Sequence, residues 1–202
     1  MPNALLPGDL VAARVERVGW QDWIGDVSGR RRRLYAGDVV VGVCGGRYAT
    51  SICEGLPGSG TMRHLLGATG VIGTVVSTAA GRGAPTQVEL LGYVSAEDGQ
   101  TLSAADFALP WPIPTSAAGP GVNPTVAVVG TGSDSGKTTV SAALIRSWRR
   151  AGRRVGAAKV TGHGGRGDRW AYEDAGAQVS LDHLEFGVAD TYGYPLDDLW
   201  AW

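Results

Sequence analysis

The sequence predicts a chain of two parts: a small all-β barrel or sandwich domain, followed by an α/β unit built on a partial parallel sheet. Three observations support this fold class. Short β-branched runs separated by glycine turns occupy residues 9–94. Five of the ten prolines then fall between Pro110 and Pro124. Beyond them an apolar run, a glycine-rich loop and an amphipathic segment follow in the order of a β-α-β unit.

The composition is that of an ordinary globular protein and excludes several classes of function. The chain has 202 residues, of which 44% are hydrophobic, enough to bury a core. Its net charge of −1 creates no overall field that attracts nucleic acid or anionic lipid. No apolar run approaches the roughly 18 residues that span a bilayer, and the N-terminus lacks a signal-peptide pattern. We expect a cytoplasmic protein with no membrane partner and no nucleic-acid partner.

Residues 1–109 are predicted to form the β-rich domain. One charged stretch within it, Arg30–Arg33, separates two predicted strands. It is either a solvated hairpin tip or a contact for an anion or nucleic acid. Residues 110–124 are predicted to be a semi-rigid linker, because proline lacks a backbone donor and disfavours helix in the residue before it.

Residues 125–202 are predicted to form a partial nucleotide-binding domain. The apolar run TVAVVG, residues 125–130, is typical of a parallel strand covered on both faces. A helix is expected next, ending at Gly152, and further strands are expected at residues 155–160 and 177–182. Strand, glycine loop, helix and strand would together make one right-handed β-α-β unit.

The loop between the first predicted strand and the helix reads GTGSDSGKTT. Such a loop presents backbone N–H groups to phosphate, and the following helix adds its positive end. Gly136, Lys137 and Thr138 match the end of the Walker A motif, in which the lysine reaches the β and γ phosphates and the hydroxyl ligates Mg²⁺. The predicted phosphate-binding residues are Gly132, Ser133, Asp134, Ser135, Gly136, Lys137, Thr138 and Thr139.

The spacing departs from the standard motif, which would place its first glycine at position 131, where this chain has Thr131. The alternative is a glycine-rich turn that binds no ligand. Gly130 lies one residue earlier, six residues before Gly136. A later strand candidate, AAKVTG, carries Lys159 and Gly162.

On these residues the chain resembles the P-loop of dethiobiotin synthetases and the related cobyrinate amidases. It is also similar to bacterial P-loop proteins that carry a β-rich N-terminal domain. The resemblance covers residues 125–185. It implies a P-loop nucleotide-binding fold, ATP and Mg²⁺ as cofactors, and activation of a carboxylate or carbamate by phosphoryl transfer. It further implies catalytic roles for Lys137 and Lys159, and a metal site formed by Thr138 and Asp174.

The residues alone leave these roles open. Lys159 is either a cation near the transferring phosphate or a strand-end lysine in solvent. Asp174 is either a metal ligand or a helix-surface carboxylate, and Asp168 is a second acidic residue that could place a magnesium ion with Thr138. The segment GHGGRGDR, residues 162–169, follows the carboxyl end of a predicted strand, where ligands of open α/β sheets bind. It is either a ligand-binding loop, using His163, Arg166 and Asp168, or a mobile one.

Parts of a complete enzyme are missing from the pattern. No strand followed by a clear second catalytic carboxylate is evident, although Asp182 ends a short run, and the guanine-binding N-K-x-D signature is absent. ATP is the expected nucleotide, with GTP not excluded and the small-molecule substrate unknown. A non-catalytic nucleotide-binding or regulatory module is the alternative. We expect a second copy or partner subunit to complete the sheet, with Trp200 and Trp202 as contacts, unless the chain is a truncated member of its family.

Overall fold

The structure is a computed structural model that describes residues 5–110, residues 124–194 and Asp197. Residues 5–110 form nine strands. Their bounds are β1 Leu10–Arg17, β2 Trp23–Gly25, β3 Arg31–Arg33, β4 Val39–Cys44, β5 Arg47–Ala49, β6 Cys53–Leu56, β7 Met62–Leu65, β8 Val71–Thr78 and β9 Thr86–Tyr93. A 3-10 helix at Ala104–Phe107 ends this part.

Seven of these strands form one sheet in the order β4-β1-β9-β7-β8-β6-β5. All neighbours in that order pair antiparallel. A further parallel pairing of β4 with β8 joins the first strand of that order to the fifth. Five strands therefore close into a ring, and residues 5–110, which form and surround this ring, are called the barrel. On β1 the buried residues Val11, Ala13 and Val15 alternate with more exposed ones, as the period of a strand requires. Every second residue of β1 therefore faces the core of the ring.

The hairpin of β2 and β3 lies outside the large sheet and carries the arginine run. Ile24 pairs with Arg32 at its centre, and Arg31 stacks on the ring of Trp23 at 4.4 Å. Asp26 at the turn pairs with Arg32. Arg31 and Arg32 thus have partners within an exposed hairpin, and their presence there needs no ligand.

Within residues 124–194, the second part contains two helices and two short strands, with the bounds α1 Lys137–Arg150, β10 Gly156–Lys159, α2 Arg166–Ala175 and β11 Val179–Asp182. A second 3-10 helix follows at His183–Phe186. Strands β10 and β11 pair in parallel, with Lys159 opposite Asp182. Ile145 of α1 and Tyr172 of α2 meet in a small buried cluster beside these strands.

The predicted P-loop α/β fold is wrong. The described chain is mostly β, its large sheet is almost entirely antiparallel, and its only parallel sheet has two strands. The apolar run at residues 125–130 forms no strand, and Val126 and Val129 are 54% and 86% exposed. An apolar run becomes a buried parallel strand only where neighbouring strands and covering helices surround it. The described residues place neither around this segment.

A β-α-β unit forms one step later in the chain than expected. It consists of β10, α2 and β11, so the helix inside it is α2 and not α1. The glycine-rich segment 162–169, expected to be irregular, begins α2 at Arg166. The strands expected near residues 155–160 and 177–182 are confirmed as β10 and β11.

The two parts of the chain contact each other directly. Arg166 on α2 donates to the carbonyl of Val27 in the β2–β3 hairpin at 2.7 Å. The hydroxyl of Tyr192 donates to Glu54 on β6 at 2.6 Å. The proline-rich linker, apart from its ends, and Trp200 and Trp202 lie outside the described residues. None of the helices described is long and apolar enough to cross a membrane.

Candidate phosphate-binding site

The loop before α1 makes a tight turn directly into the helix. Asp134 has a φ of 60° and Gly136, the residue that precedes the helix, has a φ of 88°. Aspartate and glycine tolerate this left-handed region better than most residues. At Gly130 a Cβ atom would lie 2.4 Å from Oγ of Ser135. A side chain at position 130 would therefore clash with Ser135, which explains why this position is a glycine.

The ammonium of Lys137 folds back over this loop. Its Nζ donates to the carbonyl of Gly132 at 2.5 Å and lies 3.3 Å from Oγ of Ser135. Ser135 in turn donates to the same carbonyl at 2.9 Å. Among the ion pairs of the described residues, none involves Lys137. The ammonium of Lys137 therefore contacts only neutral oxygens among these partners, and an anion could take their place.

Thr138, Asp168 and Lys159 form a hydrogen-bonded chain next to this loop. The hydroxyl of Thr138 donates to Oδ1 of Asp168 at 2.5 Å, and Nζ of Lys159 donates to Oδ2 of the same carboxylate. Thr138 lies in the first turn of α1, Asp168 in the first turn of α2, and Lys159 at the end of β10. Three elements thus meet at one carboxylate.

The charge state of Asp168 follows from these neighbours. Burial opposes its ionisation, but the hydrogen bonds from Lys159 and Thr138 and the charges of Lys159 and Lys137 outweigh that effect. The pKa of Asp168 therefore lies below its usual value. Lys137 belongs to the same electrostatic cluster although it forms no direct bond to the carboxylate.

A second carboxylate lies at the same end of the two-stranded sheet. Asp182 is 3% exposed and stands opposite Lys159 in the pairing of β10 with β11. Burial raises the pKa of Asp182. Its Oδ1 accepts from the amide of Leu184 at 3.2 Å, whereas its Oδ2 has no hydrogen-bond partner within the described chain.

The structure separates the predicted metal ligands. Asp168, and not Asp174, contacts Thr138. Asp174 is exposed on α2 and lies six residues further on, about 9 Å along the helix axis. A role for Asp174 as a metal ligand stays a prediction, while the geometry favours Asp168 beside the threonine.

The remaining predicted loop residues differ in their surroundings. Asp134 accepts a hydrogen bond from Ser51 of the N-terminal part at 3.0 Å. Ser133 and Thr139 are exposed. Arg166 points towards the β2–β3 hairpin, and the ring of His163 contacts Thr69 and Asp190. Sequence reasoning missed Thr69 and Asp190, because only the packing of the two parts brings them to the histidine.

The donor chemistry of this cluster suits magnesium. Over residues 5–110 and 124–194, no group of three or more His, Cys, Asp or Glu side chains is arranged to hold a metal ion. Mg²⁺ in nucleotide sites uses one or two carboxylates together with phosphate oxygens and waters. The hydroxyl of Thr138 and the carboxylate of Asp168 are oxygen ligands of that kind.

No protein-family model matches the chain, and neither does any curated protein or solved structure.

Proposed function

We propose that the chain binds the phosphate groups of a nucleoside triphosphate, with ATP the expected nucleotide, at the N-terminal end of α1. One observation carries the proposal. Lys137, Thr138, Lys159 and Asp168 converge where a tight loop turns into a helix of 14 residues.

The N-terminus of α1 offers groups that lack partners. The first N–H groups of a helix have no partner within the helix, and its N-terminus carries partial positive charge. A phosphate oxygen there would replace the carbonyl of Gly132 as the partner of Lys137. A charged acceptor makes a stronger hydrogen bond than a neutral carbonyl. The exchange is therefore favourable for a polyanion.

Bound Mg²⁺ would neutralise phosphate charge, and Thr138 and Asp168 are the residues that would hold it. Both side chains are at present bonded to each other. Their separation on ligand binding would release one carboxylate oxygen and one hydroxyl oxygen. Lys159 would then remain paired with Asp168 or turn towards phosphate.

Calorimetric titration of the full chain tests this function. The ligands are ATP, GTP, ADP and inorganic tripolyphosphate, each with Mg²⁺. We expect ATP to bind and affinity to fall from triphosphate to diphosphate, because fewer oxygens reach the two lysines. Tripolyphosphate binding as tightly as ATP would show that the base is not recognised. A folded chain that binds none of these ligands would overturn the proposal.

A second candidate is phosphoryl transfer to a carboxylate or carbamate of a small molecule. The position of Lys159 favours it, since its side chain is 17% exposed and adjoins the Thr138–Asp168 pair. Transfer depends mainly on positioning and on cations near the transferring oxygens. Formation of ADP from ATP is the measurement, because transfer to a carboxylate or carbamate gives ADP and a mixed anhydride, which releases phosphate only when it breaks down. ATP binding without ADP formation, whether or not small carboxylates or amines with bicarbonate are present, would leave a non-catalytic module.

A further inference from the structure

His163 lies between the candidate phosphate site and the barrel. Its carbonyl accepts a hydrogen bond from Nζ of Lys159 at 2.6 Å. Its ring faces the other way, with Nε2 3.1 Å from Oγ1 of Thr69 and Nδ1 2.8 Å from Oδ2 of Asp190. One residue therefore contacts the site through its main chain and the barrel through its side chain.

The ring of His163 is held in one arrangement. The side chain of Asp190 is 2% exposed and accepts from Nδ1, which leaves Nε2 to accept from the hydroxyl of Thr69. Burial lowers the pKa of His163, although the bond to Asp190 opposes that effect. In the neutral ring, which the lowered pKa favours, Nδ1 donates to Asp190 and Nε2 accepts from Thr69.

The barrel presents a close-packed loop to this ring. The loop consists of residues 66–70 and joins β7 to β8. At Gly67 a Cβ atom would lie 2.5 Å from Nε2 of His163 and 2.6 Å from Nη1 of Arg47. Loop 66–70 has no spare room at this point. A displacement of the ring would therefore move the loop.

Loop 66–70 is connected in turn to other barrel elements. The carbonyl of Ala68 accepts from the amide of Gly25 in β2 at 2.7 Å, and the carbonyl of Gly70 accepts from the amide of Val43 in β4 at 2.9 Å. The β2–β3 hairpin carries the arginine run. A shift of loop 66–70 would therefore displace the β2–β3 hairpin and its exposed arginines.

We propose that His163 couples occupancy of the phosphate site to loop 66–70 of the barrel. The proposal rests on the proposed function. A phosphate that draws the ammonium of Lys159 away removes its bond to the carbonyl of His163, and the ring, Thr69 and Gly67 follow. His163 is a positioning residue in this scheme, since it touches Lys159 and not the ligand.

Binding linkage gives the first test. If site and loop are coupled, a change in the loop must change ligand affinity. Mg²⁺–ATP is titrated into Gly67→Ala, Thr69→Val and the control Gly83→Ala, where a Cβ atom would meet nothing within 4 Å. We expect at least about a fivefold change in Kd for the first two variants, the lower end of typical coupling, and none for the control. Wild-type affinity in both loop variants would overturn the coupling.

Hydrogen exchange gives a second test that needs no ligand. Lys159→Met keeps an unbranched apolar stem of nearly the same length but removes the ammonium that donates to the carbonyl of His163. We expect faster exchange at the amide of Gly70, which donates to Gly67, while the amide of Val94, which donates to Leu10, stays unchanged. Unchanged exchange at Gly70 would contradict the coupling whatever the titrations give.

The two measurements separate this inference from the proposed function. ATP binding with neither effect in the loop would leave the function standing and overturn the coupling. If exchange is faster in Lys159→Met but wild type binds no ATP, the proposed function is overturned, and the response to site occupancy with it. The physical link from Lys159 to loop 66–70 is then still supported. Both effects together would support both proposals.

Discussion

Single residues decide the electrostatics of the candidate site. Asp168 accepts from Thr138 and Lys159, and its lowered pKa records that both bonds favour the ionised form. Lys137 bonds only neutral oxygens among the contacts that the structure describes. The site therefore pairs one lysine internally and leaves the charge of the other for a ligand.

The Asp168→Asn substitution tests the role of the paired carboxylate. We expect a loss of about 1.5–3 kcal/mol in the free energy of unfolding at pH 7, the range for hydrogen bonds to charged groups, measured by urea denaturation. Because the folded pKa of Asp168 is depressed, its contribution is present above the ordinary carboxyl range and is lost as pH falls through the folded pKa. The difference between wild type and variant should therefore shrink in acid.

The exposed Asp174→Asn is the matched control for Asp168→Asn, since it lies on the same helix. Asp174→Asn should leave the free energy of unfolding unchanged both at pH 7 and in acid. An Asp174→Asn variant that lost as much stability as Asp168→Asn would show that the two carboxylates act together.

Sequence patterns predicted the elements better than their assembly. The short β-branched runs within residues 9–94 and the runs at β10 and β11 indicated strands correctly, because residue type and run length are local properties. The run at residues 125–130 has the same apolar character but forms no strand, since pairing depends on neighbours elsewhere in the chain. Propensity alone does not provide a sheet.

The same distinction holds for the site. The motif placed Gly136, Lys137 and Thr138 at the start of a helix, as observed. The partner of Thr138 was not determined by the motif, because Asp168 and Asp174 both lie on α2 and only the packing of α1 against α2 selects between them. Thr69 of the barrel had no sequence signal at all.

Strand β8 provides a test at the scale of one element. At Gly73 a Cβ atom would lie 2.5 Å from the carbonyl oxygen of Gly45 and 2.6 Å from that of Leu56. Gly73→Ala should cost about 1–3 kcal/mol of unfolding free energy, the usual cost of overpacking, measured by urea denaturation.

Gly92→Ala in β9 is the matched control, since a Cβ atom there would meet nothing within 4 Å. It should leave the free energy of unfolding nearly unchanged. Equal stability of the two variants would show that the backbone at Gly73 is less closely packed than described.

In the whole molecule, as far as its residues are described, a largely antiparallel barrel carries a small α/β unit with a two-stranded sheet. Such a sheet buries little surface by itself, and the unit relies on contacts with the barrel such as Arg166 to Val27 and Tyr192 to Glu54. The candidate site lies on the small unit. The positions of the side chains in the candidate site therefore depend on the barrel, against which the small unit packs.

We propose that a second copy of the chain covers the segment 125–130. Val126 and Val129 are exposed, and in the described chain β10 pairs only with β11, so one edge of that strand is open. Light scattering should give twice the mass of one chain. Val129→Lys should shift that mass towards the monomer, whereas Val27→Lys, at a valine 93% exposed in the β2–β3 turn, should not. A monomer at high concentration would contradict the proposal.

Binding of ATP with Mg²⁺ to wild type, Lys137→Ala and Arg146→Ala tests most directly whether the loop before α1 binds phosphate. Arg146 is an exposed cation on the same helix, so its loss controls for net charge. The proposed site predicts that calorimetry detects magnesium-dependent binding in wild type and Arg146→Ala, and none in Lys137→Ala. Equal binding by all three proteins, or no binding by a folded wild type, would contradict a phosphate site at the start of α1.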